Sequence, residues 1–145
     1  MSLSNSEIID AVQQLCARKK LRFTAVRNNV LRLLLAEKSP CKAYTLLARL
    51  QSNKTQPTAI YRALDFLLQH GFAHKIHSQN SYLACRHPRL QHNCYFIICR
   101  HCGCVQECCN ANATRAIAQT AKQNNFQAPQ AFLEILADCK KCASR

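Results

Sequence analysis

Acidic side chains are scarce in this chain: 7 Asp and Glu stand against 20 Lys and Arg, a formal net charge of +13 over 145 residues. Glycine is nearly absent; only Gly71 and Gly103 occur, and each falls where a helix or strand is expected to turn. No run of 18 apolar residues is present, which excludes a membrane-spanning helix. The opening MSLSNSEIID has no basic segment followed by an apolar one. It therefore predicts no secretory signal and a cytoplasmic protein. Neither H-x-E nor a proline before a Cys-x-x-Cys pair occurs, so the zinc-deaminase signature is missing.

Cysteine, by contrast, is abundant, with 11 residues. In a reducing compartment that number favours metal ligands or free thiols over disulfides. Two Cys-x-x-Cys pincers stand out, Cys99 with Cys102 and Cys139 with Cys142. Four thiolates close a tetrahedral structural zinc site. The 36 residues from 103 to 138 exceed the spacing of a single zinc knuckle, so such a site would tie the start of a small domain to its end. Disulfides are the alternative reading.

The first half reads as helices. Ser4 and Glu7 have capping-box spacing before Ile8, Val12 and Leu15. Thr24 can cap a second helix carrying Val26, Val30, Leu33 and Leu34. A third, about 43–51, places Leu46, Leu47 and Leu50 inward. Pro57 opens a fourth, with Ile60, Ala63, Leu64, Leu67 and Leu68 on its buried side. Thr58, Tyr61, Arg62, Asp65 and Gln69 lie on the other. FAHKIHSQNSYLAC then reads as a hairpin turning at 78–81. Helices followed by a hairpin suggest a winged helix-turn-helix over 1–85. Residues 86–92 read as a hinge. Residues 93–145 read as a small α/β unit whose first and last strands carry the pincers. The fold class expected is α+β.

A charge of +13 calls for a polyanion, and no basic amphipathic helix points to a membrane. A helix fits the DNA major groove, where Arg62 can bond guanine and Tyr61 can meet a thymine methyl. Arg27, with Lys20, Arg22 and Lys42, can hold phosphates. Thr24 and Thr58, at helix starts, join the candidate DNA contacts. The plainer reading is a solvated helix face with surface charges.

Beyond the pincers, His74, Cys85, His92 and Glu107 are placed as a second ligand set. A hairpin turn centred between 79 and 80 puts His74 directly opposite Cys85. Two imidazoles, a thiolate and a carboxylate suit zinc; the thiolate disfavours magnesium and calcium. With four protein ligands, no position stays open for catalysis. Taken singly, His74 reads as a solvent-facing wing residue and Glu107 as a surface charge.

The segments LRFTAVR (21–27), AYTLLARL (43–50), PTAIYRALDFLLQHGFAHK (57–75), NSYLAC (80–85), CRHCG (99–103) and CKKC (139–142) together resemble the ferric uptake regulator family of bacterial metal-sensing repressors, in particular its zinc-responsive members. The resemblance implies a homodimer with a DNA-binding winged helix and an α/β dimerisation domain. It implies two zinc ions per protomer: a structural one on Cys99, Cys102, Cys139 and Cys142, and a regulatory one on His74, Cys85, His92 and Glu107. It implies that Tyr44, Tyr61 and Arg62 work at double-stranded operator DNA, and that the protein is a repressor of zinc-uptake genes rather than an enzyme. Iron-sensing members carry a His- and Asp-rich run before the first pincer; here the stretch is His92-Asn93-Cys94-Tyr95-Phe96. A sibling sensor for iron, nickel or peroxide, or a zinc-dependent enzyme, are the alternatives. Cys94, Cys104, Cys108 and Cys109 are expected as buried or free thiols, with redox sensing as the other reading.

Overall fold

Helix α1 (Asn5–Arg18) starts where its sequence says it should. Ser4 accepts from the Glu7 amide at 3.3 Å, and the Glu7 carboxylate accepts from the Ser4 amide at 2.7 Å. Two of the four orphan amides of the first turn are thereby satisfied. In this computed structural model, which describes residues 3–51, 55–89, 94–127 and 131–144, the chain divides into two units, Met1–Arg89 and Leu90–Arg145. Among the described residues no helix is long and apolar enough to cross a membrane.

The first unit holds α1, α2 (Ala25–Ala36), α3 (Ala43–Gln51), α4 (Pro57–Gln69) and a hairpin of β1 (Ala73–Ile76) and β2 (Ser81–Ala84). Thr24 caps α2 by accepting from the Arg27 amide at 3.3 Å. Pro57 occupies the first turn of α4, where its missing N–H costs nothing. Gly71 ends the segment at φ 73°, a left-handed value that a side chain would oppose. One core joins these pieces: Ile8, Val12, Val30, Leu31, Leu46, Ile60, Leu67 and Phe72 are each at most 1% exposed. Each such burial contributes roughly 1.5–3 kcal/mol. Cys41 extends the hairpin sheet by exchanging two backbone hydrogen bonds with Tyr82, at 2.7 and 2.8 Å.

The hairpin register differs from the expected one. His74 pairs with Leu83 and Ala73 with Ala84. The turn is a short 3₁₀ segment, His77–Gln79, closed by Asn80 at φ 47°. Asparagine tolerates that left-handed conformation, so the loop takes in four residues at 77–80 rather than the tighter centre expected. At this register the paired residues Ala73 with Ala84, and Ile76 with Ser81, are all buried.

The second unit is a three-stranded sheet in the order β4-β3-β5, from β3 (Cys94–Cys99), β4 (Val105–Cys109) and β5 (Glu134–Ala137). Strands β3 and β4 are antiparallel; β3 and β5 are parallel, connected through α5 (Ala111–Gln123). Asn110 caps α5 by accepting from the amides of Asn112 and Ala113. A short α6 (Lys140–Ala143) follows β5. Phe96, Ile98 and Cys99 are buried. Helix α5 buries none of its residues, and Phe126, Phe132 and Leu136 are 66–69% exposed. The described residues of this unit therefore include several large exposed apolar side chains.

Candidate metal centres and nucleic-acid face

The turn from β3 to β4 builds the first centre. Gly103 donates to the Cys99 carbonyl and Cys99 to the Cys104 carbonyl, both at 2.9 Å, with Gly103 at φ 72°. This curls Cys99 and Cys102 toward the segment that follows β5. The parallel β3–β5 pairing, with Cys99 beside Ala137, sets Cys139 two residues beyond the ladder. One sulfur each of Cys99, Cys102, Cys104 and Cys139 lie within 4.8 Å of one another. Cys102 and Cys139 are 3.8 Å apart, Sγ to Sγ. Zinc–sulfur bonds of 2.3 Å in a tetrahedron require sulfurs about 3.8 Å apart, so a cluster of Cys99, Cys102, Cys104 and Cys139 could hold that ion, while Cys142, the expected fourth ligand, is not among these four.

Backbone amides favour the charged form of these sulfurs. The Cys99 thiol is lowered to about 5, chiefly by backbone hydrogen bonds at Cys102, then Cys139 and His101. Side-chain hydrogen bonding to Cys102 pushes Cys104 up to about 12, and the same effect from Cys139 pushes Cys142 up to about 12. In a bare cluster some sulfurs thus keep their protons so that others can ionise; a bound cation reverses that balance. Outside the sulfurs, Arg100 makes two hydrogen bonds to Asp138, at 2.6 and 2.9 Å, and His101 lies 3.1 Å from the same carboxylate. Arg100 and Asp138 hold the first pincer against the second. From the sequence Cys104 was expected only as a buried or free thiol, without a place in the cluster, and this clamp went unread. The signals were a thiol two residues past Cys102 and opposite charges next to each pincer.

The second expected set is only partly described. His92 lies outside the described residues. In the first unit, Cys85 is 3% exposed and donates its amide to the Phe72 carbonyl at 2.9 Å, continuing the hairpin ladder. Cys85 therefore sits opposite Phe72, and His74, two residues further along, is its diagonal neighbour on the same face. The slip is by two residues, so the pair shares a face after all. Their donor atoms lie within 4.8 Å of each other. In the second unit, half-buried Glu107 lies on β4 opposite Phe96. Cys94 and Cys109 are cross-strand partners joined by a disulfide, which corrects the expectation of free thiols at these two positions. They meet because the ladder sets the two residues directly opposite each other. Cys108 is a half-buried thiol.

On α4, Thr58, Tyr61 and Arg62 are exposed, with Tyr61 47% open, while Ile60, Ala63 and Leu64 on the opposite side are buried. Tyr44 on α3 is 69% exposed. Large aromatics this open on a basic unit are suited to a partner. Thr24 spends its hydroxyl oxygen on the α2 cap. The Arg27 guanidinium stacks 3.8 Å above the Phe66 ring and donates to the Arg22 carbonyl.

Comparison with known proteins places this arrangement. The sequence pattern of the ferric uptake regulator family matches residues 18–136. The zinc uptake regulation protein of Escherichia coli (strain K12) is 33% identical over 142 residues, 96% of this chain and 83% of that protein. The crystal structure of holo XcZur superimposes with a TM-score of 0.90 at 39% identity, over 97% of this chain and 99% of that one. A zinc uptake regulator complexed with zinc and DNA gives 0.88 at 32% identity, over 98% and 97%.

Proposed function

Because the chain belongs to the ferric uptake regulator family, we propose that it is a zinc-sensing transcriptional repressor of zinc-uptake genes, cytoplasmic and not an enzyme, that binds operator DNA as a homodimer when loaded with zinc. The observation that carries this reading is the His74–Cys85 pair. A buried thiol and an imidazole, with donors within 4.8 Å, lie at the base of a wing whose unit also carries the exposed Tyr61 and Arg62. That donor pair selects a borderline-soft ion such as zinc over magnesium or calcium.

His74, Cys85, His92 and Glu107 would hold the regulatory ion. Cys99, Cys102, Cys139 and Cys142 would hold the structural one, with Cys104 in reach, giving two ions per protomer. Zinc supplies a divalent centre that binds imidazole, thiolate and carboxylate together. The regulatory donors come from well-separated stretches of sequence. Gathering them favours one arrangement of the chain over the others, a preference in free energy rather than a push. Two recognition helices read DNA together only when their spacing matches the half-sites, so that preference selects the DNA-competent dimer. Shifting a population from 1:99 to 99:1 requires about 5.5 kcal/mol. Structural zinc sites are worth on the order of 10–16 kcal/mol, so part of one site suffices.

Tyr61, Arg62, Thr58 and Tyr44, all exposed, would contact operator DNA, with Arg27 and Thr24 as further candidate contacts. The exposed Phe126, Phe132 and Leu136 favour pairing with a second copy, whose matching face would cover them. The test is a DNA-binding titration against buffered free zinc, with metal content measured in parallel. Affinity should rise as a second zinc per protomer loads. Equal affinity with and without that ion would overturn the reading.

A further inference from the structure

Two cysteines outside both proposed ligand sets are brought together by the sheet. Cys94 opens β3 and Cys109 closes β4; they are direct cross-strand partners with Cα atoms 4.1 Å apart, joined as a disulfide. Glu107 lies two residues before Cys109 and so on the same face of β4. Its Oε1 is 4.0 Å from the Cys109 sulfur. Both sulfurs and a Glu107 carboxylate oxygen lie within 4.8 Å of one another. The backbone ladder, not the sulfur bond, sets this proximity, so reduction leaves the sulfurs side by side.

The reduced trio is a different chemical object from the oxidised one. Two thiolates and a carboxylate form a donor set for zinc or a similar borderline-soft divalent cation, and poorly suit magnesium or calcium. A disulfide offers two neutral sulfurs, so the carboxylate is the one anionic donor of the oxidised trio. We propose that Cys94, Cys109 and Glu107 form a redox-gated metal site, which takes zinc as the dithiolate and releases it when the disulfide closes.

A hydroperoxide is the oxidant. One thiolate attacks the peroxide oxygen; the O–O bond breaks, an alkoxide leaves and takes up a proton, and the cysteine becomes a sulfenic acid. The second thiolate attacks that sulfur, the S–S bond forms, and hydroxide leaves and is protonated to water. Two thiolates, one hydroperoxide and two protons thus give the disulfide, one alcohol and one water. The sulfurs lose the two electrons that the peroxide gains. A thiol reductant reverses the closure by exchange. The consequence for zinc sensing rests on the function proposed above, since Glu107 belongs to both donor sets and a metal held by the cysteine pair competes for it.

The test uses cobalt(II), whose bonds to thiolate absorb in the near ultraviolet, titrated under a phosphine reductant into the full chain carrying Cys85→Ser, with one equivalent of zinc first bound at the Cys99, Cys102 and Cys139 cluster so that its thiolates are occupied. That background removes the thiolate of the proposed regulatory site. A cobalt–thiolate band is expected. It should be lost in Cys85→Ser/Cys94→Ser. It should also vanish after hydrogen peroxide, with the Cys94 and Cys109 peptides recovered as one linked pair, and return on reduction. If Cys85→Ser does not fold, the native chain against Cys94→Ser gives the same difference. No band in the reduced protein, a band unchanged by Cys94→Ser, or peroxide treatment that leaves Cys94 and Cys109 unlinked would overturn the proposal. A Cys85→Ser protein that still binds DNA in response to zinc would sink the regulatory reading while leaving this band untouched.

Discussion

His74 and Cys85 are diagonal neighbours on one face of the β1–β2 hairpin: His74 faces Leu83, and the Cys85 amide bonds the Phe72 carbonyl opposite it. A diagonal pair is separated by roughly 7–8 Å at Cα, further than a direct pair, yet long side chains still bridge it. Here the donors approach within 4.8 Å. The geometry tolerates a two-residue slip of register but not a slip of one, which would send the thiol and the imidazole to opposite faces.

Replacing Cys85 by Ser should remove the only thiolate of the proposed regulatory set. Zinc-dependent DNA binding should disappear, while the far-ultraviolet circular dichroism and one tightly held zinc per protomer remain. Mobility shift at buffered zinc, with metal analysis of the same sample, checks both halves. Retained zinc-responsive binding would remove Cys85 from the site.

Chelation should strip the protein in two steps. The mixed donor set releases its ion first and DNA binding falls with it. The thiolate cluster around Cys99, Cys102 and Cys139 releases last, and the second unit unfolds at that point, because the cluster ties β3 to the segment after β5. Metal content and circular dichroism followed against chelator concentration read the two steps. A single concerted loss of both ions would contradict the hierarchy.

Arg62 is exposed on α4, beside Tyr61 and opposite the buried Ile60, Ala63 and Leu64 face. Arg62→Ala should relax discrimination at one base position by about 1–3 kcal/mol. Competition binding with operators mutated one base pair at a time is the measurement. Equal weakening on every sequence would make Arg62 a phosphate contact.

Much of this was legible in the chain. The capping box at Ser4 and Glu7, Pro57 at the start of α4 and the apolar period of that helix are local signals, and the structure follows them. The hairpin register was not legible, because it depends on Asn80 entering a left-handed conformation and on which alanines the core accepts. The disulfide between Cys94 and Cys109 and the arrival of Cys104 in the thiolate cluster are products of strand pairing between distant residues. No spacing rule carries that information. The slip in register moved His74 and Cys85 from a direct to a diagonal pair without changing their shared face, which is why the wrong register still nominated the right two residues to sit together.

The charge of Glu7 adds pH dependence to α1. The Ser4 backbone N–H holds its carboxyl below the ordinary value, with the Ser4 side chain adding to the effect. A lowered folded value means that this contribution is present above the unfolded value, about 4.3, and is lost as pH falls through the folded one. Glu7→Gln keeps a neutral acceptor and removes only the charge. Thermal unfolding should show the wild type more stable than Glu7→Gln near neutral pH, with the gap closing as the solution is acidified. A gap that stays constant down to about pH 3 would assign it to something other than ionisation.

Leu136 is 66% exposed on β5, alongside Ile135 at 39% and close in sequence to Phe132 at 69%. An edge strand carrying such side chains invites a partner, and a charge at its centre is an effective block. Leu136→Glu should cost little within one protomer, since the side chain is already in solvent there. In the assembly it would place a carboxylate within an apolar interface, where an unpaired charge is strongly disfavoured. Sedimentation equilibrium should therefore show the wild type as a dimer and Leu136→Glu shifted toward monomer, with unchanged circular dichroism. Operator affinity should fall with it, because a lone winged helix reaches one half-site. A Leu136→Glu protein that remains a dimer would place the interface elsewhere on the second unit.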